Sequence, residues 1–101
     1  GCGAQGWLRP LQHKVAPAGS VVGTDVDARL LDAAAAFCTR ASLYDVELLR
    51  DDLFASTLPP AGFDLVHARL QQAALGRAPQ QVQALRRLVR PGGWLVLEEP
   101  D

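Results

Sequence analysis

Apolar and polar positions follow two different rhythms along the chain. Short apolar runs at Val21-Val22, Val46 to Leu49, Phe63 to Val66 and Trp94 to Leu97 read as buried strands. Between them, apolar residues recur three and four positions apart, the spacing of one helix face. This alternation predicts an α/β fold with a mostly parallel sheet. The first helical stretch carries Trp7, Leu8, Leu11 and Val15. Pro10 has no N–H to donate, so it must lie in the first turn or kink that helix. Pro17-Ala18-Gly19 ends it, and Ser20 to Asp25 reads as the next strand.

A second helix is predicted from Ala28 to about Arg40. Leu30, Leu31, Ala34, Phe37 and Cys38 mark its apolar face, and Asp27 is placed to cap its start. Val46 to Arg50 follows as a strand, Pro59 to Gly62 as a turn, and Phe63 to Ala68 as another strand. Leu70 to Leu75 reads as a short helical stretch. Pro79 suits the first turn of a further helix, with Val82, Leu85, Leu88 and Val89 on one face. Pro91-Gly92-Gly93 is expected to stop that helix, and Trp94 to Leu97 to form the last strand, ending at Glu98-Glu99-Pro100.

Composition narrows the picture. The chain has 101 residues, 49% apolar and 21% charged, which suits one small domain over 1–101 with a real core. No internal repeat or domain boundary is visible. A net charge of −1 argues against nucleic acid or an anionic membrane as partner. Arg86, Arg87 and Arg90 cluster, and read as a solvated helix end where cations favour the dipole. No apolar run reaches the about 20 residues needed to span a bilayer, and no signal peptide is visible. Cys2 and Cys38 lie in no CxxC or Cys/His cluster, which argues against a metal site; two free thiols suggest a reducing cytoplasm.

The candidate chemistry starts at the first residue. Gly1-Cys2-Gly3-Ala4-Gln5-Gly6 has the spacing of a tight strand-to-helix turn that approaches a ligand closely. Asp25 closes an apolar run nineteen residues after Gly6, where an acid can accept from both hydroxyls of a ribose. The loop begins with the chain itself, so the strand expected before it is absent, as in a piece of a larger protein. Asp51-Asp52, His67, Arg69 and Glu98-Glu99 also fall at predicted strand ends, the edge where doubly wound sheets bind ligands. Each has a plainer alternative. Asp25 can cap a helix, though Asp27 is better placed; Asp52 can be a turn acid. His67 can be a hydrogen-bonded strand histidine, Glu98 and Glu99 solvated loop acids, and Trp7 and Trp94 packing residues.

Taken together, these segments resemble a Rossmann-like S-adenosylmethionine-dependent methyltransferase over nearly the whole chain. Gly1 to Gly6 resembles the family's first motif, whose glycines pass under the methionine part of the cofactor, and so assigns Gly1, Cys2, Gly3 and Gly6 to cofactor binding. Val22-Gly23-Thr24-Asp25-Val26-Asp27 resembles its second strand. Asp25 would hold the ribose hydroxyls and Val26 would pack near the adenine. Asp51-Asp52-Leu53 resembles the stretch whose acid, best matched by Asp52, accepts from the adenine amino group, with the Leu53 amide alongside. Phe63 to Arg69 resembles the fourth strand and following loop beside the methionine part, Ala68 included. Leu88-Val89-Arg90-Pro91-Gly92-Gly93-Trp94-Leu95-Val96 resembles the turn into the fifth strand.

The family's sheet order, 3-2-1-4-5-7-6, puts strand one at the centre. Strands one, six and seven have no counterpart here, so the resemblance implies an incomplete sheet with a gap between strands two and four. These residues by themselves are expected to fold poorly or bind cofactor weakly. The implied reaction is attack by a small-molecule nucleophile on the sulfonium methyl carbon. For an O–H acceptor His67 is the candidate general base, unless the base lies outside this chain. An NAD-linked oxidoreductase shares the glycine loop and Asp25 but leaves Asp52 and the Arg90 to Gly93 turn unexplained. A degenerate, non-catalytic scaffold is the third reading. The acceptor and the oligomeric state are not legible in the sequence.

Overall fold

Two parallel strand pairs, each backed by helix, make up the described residues. The computed structural model describes residues 1–69 and 77–98. In order these form α1 (Leu8–Val15), β1 (Val21–Asp25), α2 (Ala28–Arg40), β2 (Val46–Arg50), a 3-10 turn η1 (Leu53–Ala55), β3 (Phe63–Arg69), α3 (Ala78–Leu88) and β4 (Val89–Glu98). The helical stretch expected at Leu70 to Leu75 lies outside the described residues. Contacts divide the chain into two units, Gly1–Arg50 and Asp51–Asp101.

In the first unit β1 pairs in parallel with β2, Val21 opposite Val46 through Asp25 opposite Arg50. Such a pairing needs a crossover, and α2 supplies it. Pro10 sits in the first turn of α1, where its missing N–H has no intrahelical acceptor to lose. Asp27 caps α2 through a hydrogen bond from the Arg29 N–H. Leu8, Val21, Ala34, Cys38 and Leu43 form the core, with Cys2, Leu11, Val15, Phe37, Val46 and Leu48 packed around it. Leu30 was expected on the buried face of α2 and is exposed instead; the inward stripe runs through Ala34 and Cys38.

In the second unit β3 pairs in parallel with β4, and α3 covers one face through Leu85 and Leu88. Arg77, which precedes α3, lays its guanidinium over the Phe54 ring at 3.9 Å, joining η1 to the helix. The family order joins strand 3 to 2 and strand 4 to 5, and β1–β2 and β3–β4 are those two pairs.

Four expectations change here. Pro91-Gly92-Gly93 does not separate helix from strand, because β4 already begins at Val89 and the segment bulges within it. Val89 pairs with Phe63, and the register resumes at Trp94 opposite Leu65. Val89 therefore belongs to the strand rather than to the helix face. Arg90 likewise leaves the helix end, where only Arg86 and Arg87 remain, and forms an ion pair with Asp64. Trp94 is 71% exposed and packs no core among the described residues.

The bulge explains Gly93. A Cβ there would lie 2.6 Å from the Asp64 carbonyl oxygen and 2.7 Å from Val89 Cγ1. Neither backbone nor strand can yield cheaply, so Gly93→Ala is expected to destabilise the protein by about 2 kcal/mol. Chemical denaturation checks this, and an unchanged midpoint would mean that the bulge opens at no cost.

Candidate functional site

The glycine loop is fastened to the end of β1. The Cys2 N–H donates to the carbonyl of Thr24, within β1, at 2.6 Å. The Gly3 N–H donates to Asp25 Oδ2 at 3.0 Å. The other carboxylate oxygen, Oδ1, accepts from the Asp27 N–H at 3.0 Å. Asp25 thus orients both the loop and the entry to α2, and it is only 7% exposed. It does not cap α2; Asp27 does, as the sequence favoured. An ionised carboxylate offers about four acceptor sites, so two remain for other donors.

Gly3 and Gly6 adopt φ of +64° and +50°, in the left-handed region that favours glycine. They differ in what surrounds them. A Cβ on Gly6 would lie 2.6 Å from the Cys2 carbonyl oxygen, so Gly6 closes the turn. A Cβ on Gly3 would meet nothing within 4 Å, so Gly3 borders open space beside the Asp25 carboxylate that its N–H contacts. Gly1 completes the loop at its exposed end. Burial pushes the Cys2 thiol up, which suits a neutral packing group over β1 rather than a thiolate. Val26 is 53% exposed immediately beyond Asp25, an apolar surface next to a buried carboxylate. Its carbonyl is held by Arg50 Nε at 3.1 Å.

In the second unit Asp52 caps η1, accepting from the Phe54 N–H at 2.9 Å. Leu53 opens that turn, and the N–H of a first helical residue has no intrahelical acceptor. Asp51 does something the sequence reading did not assign. Its carboxylate accepts from Ser56 Oγ at 2.6 Å, the Thr57 N–H at 2.9 Å and Thr57 Oγ1 at 3.2 Å, folding the loop back on itself. Hydroxyl residues five and six positions downstream of an acid were the available signal.

Burial pushes the Asp51 carboxyl up, but those hydrogen bonds outweigh it and hold it below its ordinary value of 3.8. The folded form therefore binds this proton more weakly than the unfolded chain. Asp51 contributes stability above about pH 4, and that contribution is lost as pH falls through the folded value. Asp51→Asn is expected to lower stability near neutrality and to flatten the loss of stability below about pH 4. Denaturant melts at about pH 7 and about pH 3 test this; parallel acid profiles for both proteins would refute it.

His67 lies on β3 two positions before its end, opposite Val96 rather than at the strand terminus. Its Nε2 meets Glu98 Oε1 at 2.6 Å. Glu98 is therefore not a solvated loop acid. It ends β4, half-buried, and its second oxygen faces Arg69 Nε at 3.9 Å. Register accounts for the cluster, because Arg69 pairs with Glu98 and His67 is two positions earlier on the same face. Ala68 points the other way and is buried. Glu99 lies outside the described residues. Among the described residues no group of three His, Cys, Asp or Glu side chains is arranged to hold a metal ion.

Comparison with known proteins gives this geometry a context. The chain is 32% identical over 100 residues to nocamycin O-methyltransferase of Saccharothrix syringae, covering 99% of the chain and 36% of that protein. It is 30% identical over 97 residues to demethylmenaquinone methyltransferase of Listeria monocytogenes, covering 93% of the chain and 40% of that protein. A solved S-adenosylmethionine-dependent methyltransferase from Mesorhizobium loti superposes with a TM-score of 0.72 at 27% identity, over 96% of the chain and 43% of that structure. The PH0226 protein of Pyrococcus horikoshii shares the fold, with a TM-score of 0.85 at 20% identity, over 99% of the chain and 43% of its own. The chain thus spans well under half the length of these relatives. The sequence profile described as the methyltransferase domain matches residues 1–93, and the chain belongs to that family.

Proposed function

We propose that this chain is the cofactor-binding part of an enzyme that transfers a methyl group from S-adenosylmethionine to a small-molecule acceptor. One observation carries the reading. A buried carboxylate, Asp25, is held by two backbone N–H groups and keeps acceptor capacity beside the open space at Gly3. A cradle that a Cβ would fill, next to an unexhausted carboxylate, fits the methionine and ribose ends of such a cofactor. Gly1, Cys2, Gly3 and Gly6 would line the first and Asp25 would accept from the second. Val26 offers an exposed apolar surface for the adenine, and Asp52 with the Leu53 N–H would read its edge.

When bound, S-adenosylmethionine supplies an electrophilic methyl carbon on a sulfonium. The chain's own contribution is positioning and exclusion of water. Ala68 and the end of β3 would flank the methionine part, and His67 would take the proton of an O–H acceptor. A small-molecule acceptor is favoured by the relatives, both named for small molecules, and by the net charge of −1, which offers nucleic acid no footprint. Two free thiols favour the cytoplasm, and no helix among the described residues is long and apolar enough to cross a membrane.

Calorimetric titration of the native protein with S-adenosylhomocysteine and, separately, with NAD tests the assignment. Saturable binding of the first alone is expected. Binding of NAD instead would favour hydride transfer, and binding of neither would favour a scaffold. His67→Ala is expected to lower turnover by about 10²-fold or more while leaving the affinity for S-adenosylhomocysteine unchanged. Undiminished turnover would remove His67 from the chemistry.

A further inference from the structure

We infer that Arg50 is a positioning residue for the cofactor's ribose: it clamps the Val26–Asp27 peptide group and, through that group, aims the Asp25 carboxylate. This rests on the methyl-transfer reading and on Asp25 as the ribose acceptor. Arg50 ends β2 and lies opposite Asp25, the last residue of β1, in the parallel ladder. Its Nε donates to the Val26 carbonyl oxygen at 3.1 Å. The N–H of the same peptide group, that of Asp27, donates to Asp25 Oδ1 at 3.0 Å. A peptide group is planar and stiff, so holding its oxygen also fixes the direction of its N–H.

One chain of hydrogen bonds results. It runs from the guanidinium through a single peptide to the carboxylate, and Asp25 Oδ2 continues it to the Gly3 N–H at 3.0 Å. The two donors hold different oxygens, and together they set the plane that the carboxylate offers to a ribose. The Asp27 donor is fixed only as well as its peptide is. A cation on the carbonyl polarises that peptide and makes its N–H the better donor to an anion. The clamp has a second effect. Val26, 53% exposed, carries the surface proposed for the adenine, and its carbonyl is the group that Arg50 holds. Ribose and adenine contacts thus share one support, as outer groups orient the ligands of a metal. The Arg50–Val26 bond lies at the exposed surface, where water can take the place of the guanidinium. Its loss is therefore expected to disturb orientation rather than stability.

Two substitutions of similar length isolate the donor. Arg50→Gln keeps an N–H donor at the same number of bonds from the backbone and removes the charge. Arg50→Met keeps the length and removes the donor. In the ligand-free protein, hydrogen exchange at the Asp27 amide is expected to quicken about threefold or more in Arg50→Met and to stay within about twofold in Arg50→Gln. Calorimetric titration then compares S-adenosylhomocysteine with its 2′-deoxy analogue. The native protein is expected to prefer the first by about tenfold or more, the worth of one hydrogen bond to a charged acceptor. Arg50→Met is expected to reduce that preference about threefold at an unchanged denaturation midpoint, and Arg50→Gln to keep most of it. The inference requires both changes in Arg50→Met. The absence of either, or equal effects of the two substitutions, would overturn it. If the native protein binds S-adenosylhomocysteine and these changes fail to appear, only the role of Arg50 falls. If the native protein does not bind it, the methyl-transfer reading falls and this role with it, whatever the exchange rates.

Discussion

Asp25→Asn is expected to weaken S-adenosylhomocysteine binding by about 100-fold. Two hydrogen bonds from ribose hydroxyls to a carboxylate, each strengthened by its charge, are together worth about 3 kcal/mol, and each 1.4 kcal/mol is tenfold in affinity. Asparagine has the same shape but one acceptor oxygen. Its amide NH₂ would face either the Gly3 N–H or the Asp27 N–H, both of which now donate to the carboxylate. The variant therefore also loosens the loop it anchors. Calorimetry gives the affinity, and denaturant melts give the accompanying loss of stability, expected at about 1–3 kcal/mol for one buried donor left unpaired. Unchanged affinity with reduced stability would make Asp25 a fastener of the loop and nothing more.

The two left-handed glycines of the loop are expected to separate cleanly. Gly3→Ala incurs a conformational cost of about 1 kcal/mol and no clash, because a Cβ there meets nothing within 4 Å. Its cofactor affinity is expected to fall at least about tenfold, since that Cβ would occupy the space beside Asp25. Gly6→Ala carries the same conformational cost and also drives a Cβ to 2.6 Å from the Cys2 carbonyl oxygen. It is expected to lose about 2 kcal/mol or more of stability, with affinity falling as a consequence. Melting curves beside binding isotherms distinguish the cases. Equal stability losses in both variants would show that the open space at Gly3 is not a ligand cradle.

The same comparison shows where the sequence was readable. Local rules placed most elements. Period and capping located α2 from Ala28 to Arg40 with Asp27 at its cap, and β2 from Val46 to Arg50. Pro10 marked the first turn of α1 for a reason confined to one residue, its missing N–H. The glycine spacing and the acid nineteen residues on were visible because the demand they meet is local on each side, a tight turn and a strand end.

Other features required partners distant in the chain. Helical periodicity continued through Val89, yet Val89 pairs with Phe63 on β3, and a ladder outranks a helix end. Arg90 had the position of a dipole-favouring cation until Asp64, twenty-six residues earlier, took it. Trp94 read as a packing residue, yet the register sets it opposite Leu65 and both side chains are exposed. Glu98 illustrates the point most fully. Alone it is a strand-end acid; paired across strands it becomes the carboxylate of His67, thirty-one positions away.

The amino-acid order by itself determined the α/β rhythm, most strand and helix spans, the glycine turn and the acid at the end of β1, because each depends on residues within a few positions of one another. Tertiary structure alone decided which carboxylate oxygen each loop N–H meets and that His67 is backed by Glu98. Those outcomes depend on strand register and on the approach of separate elements. Neither is written in the spacing of any one segment.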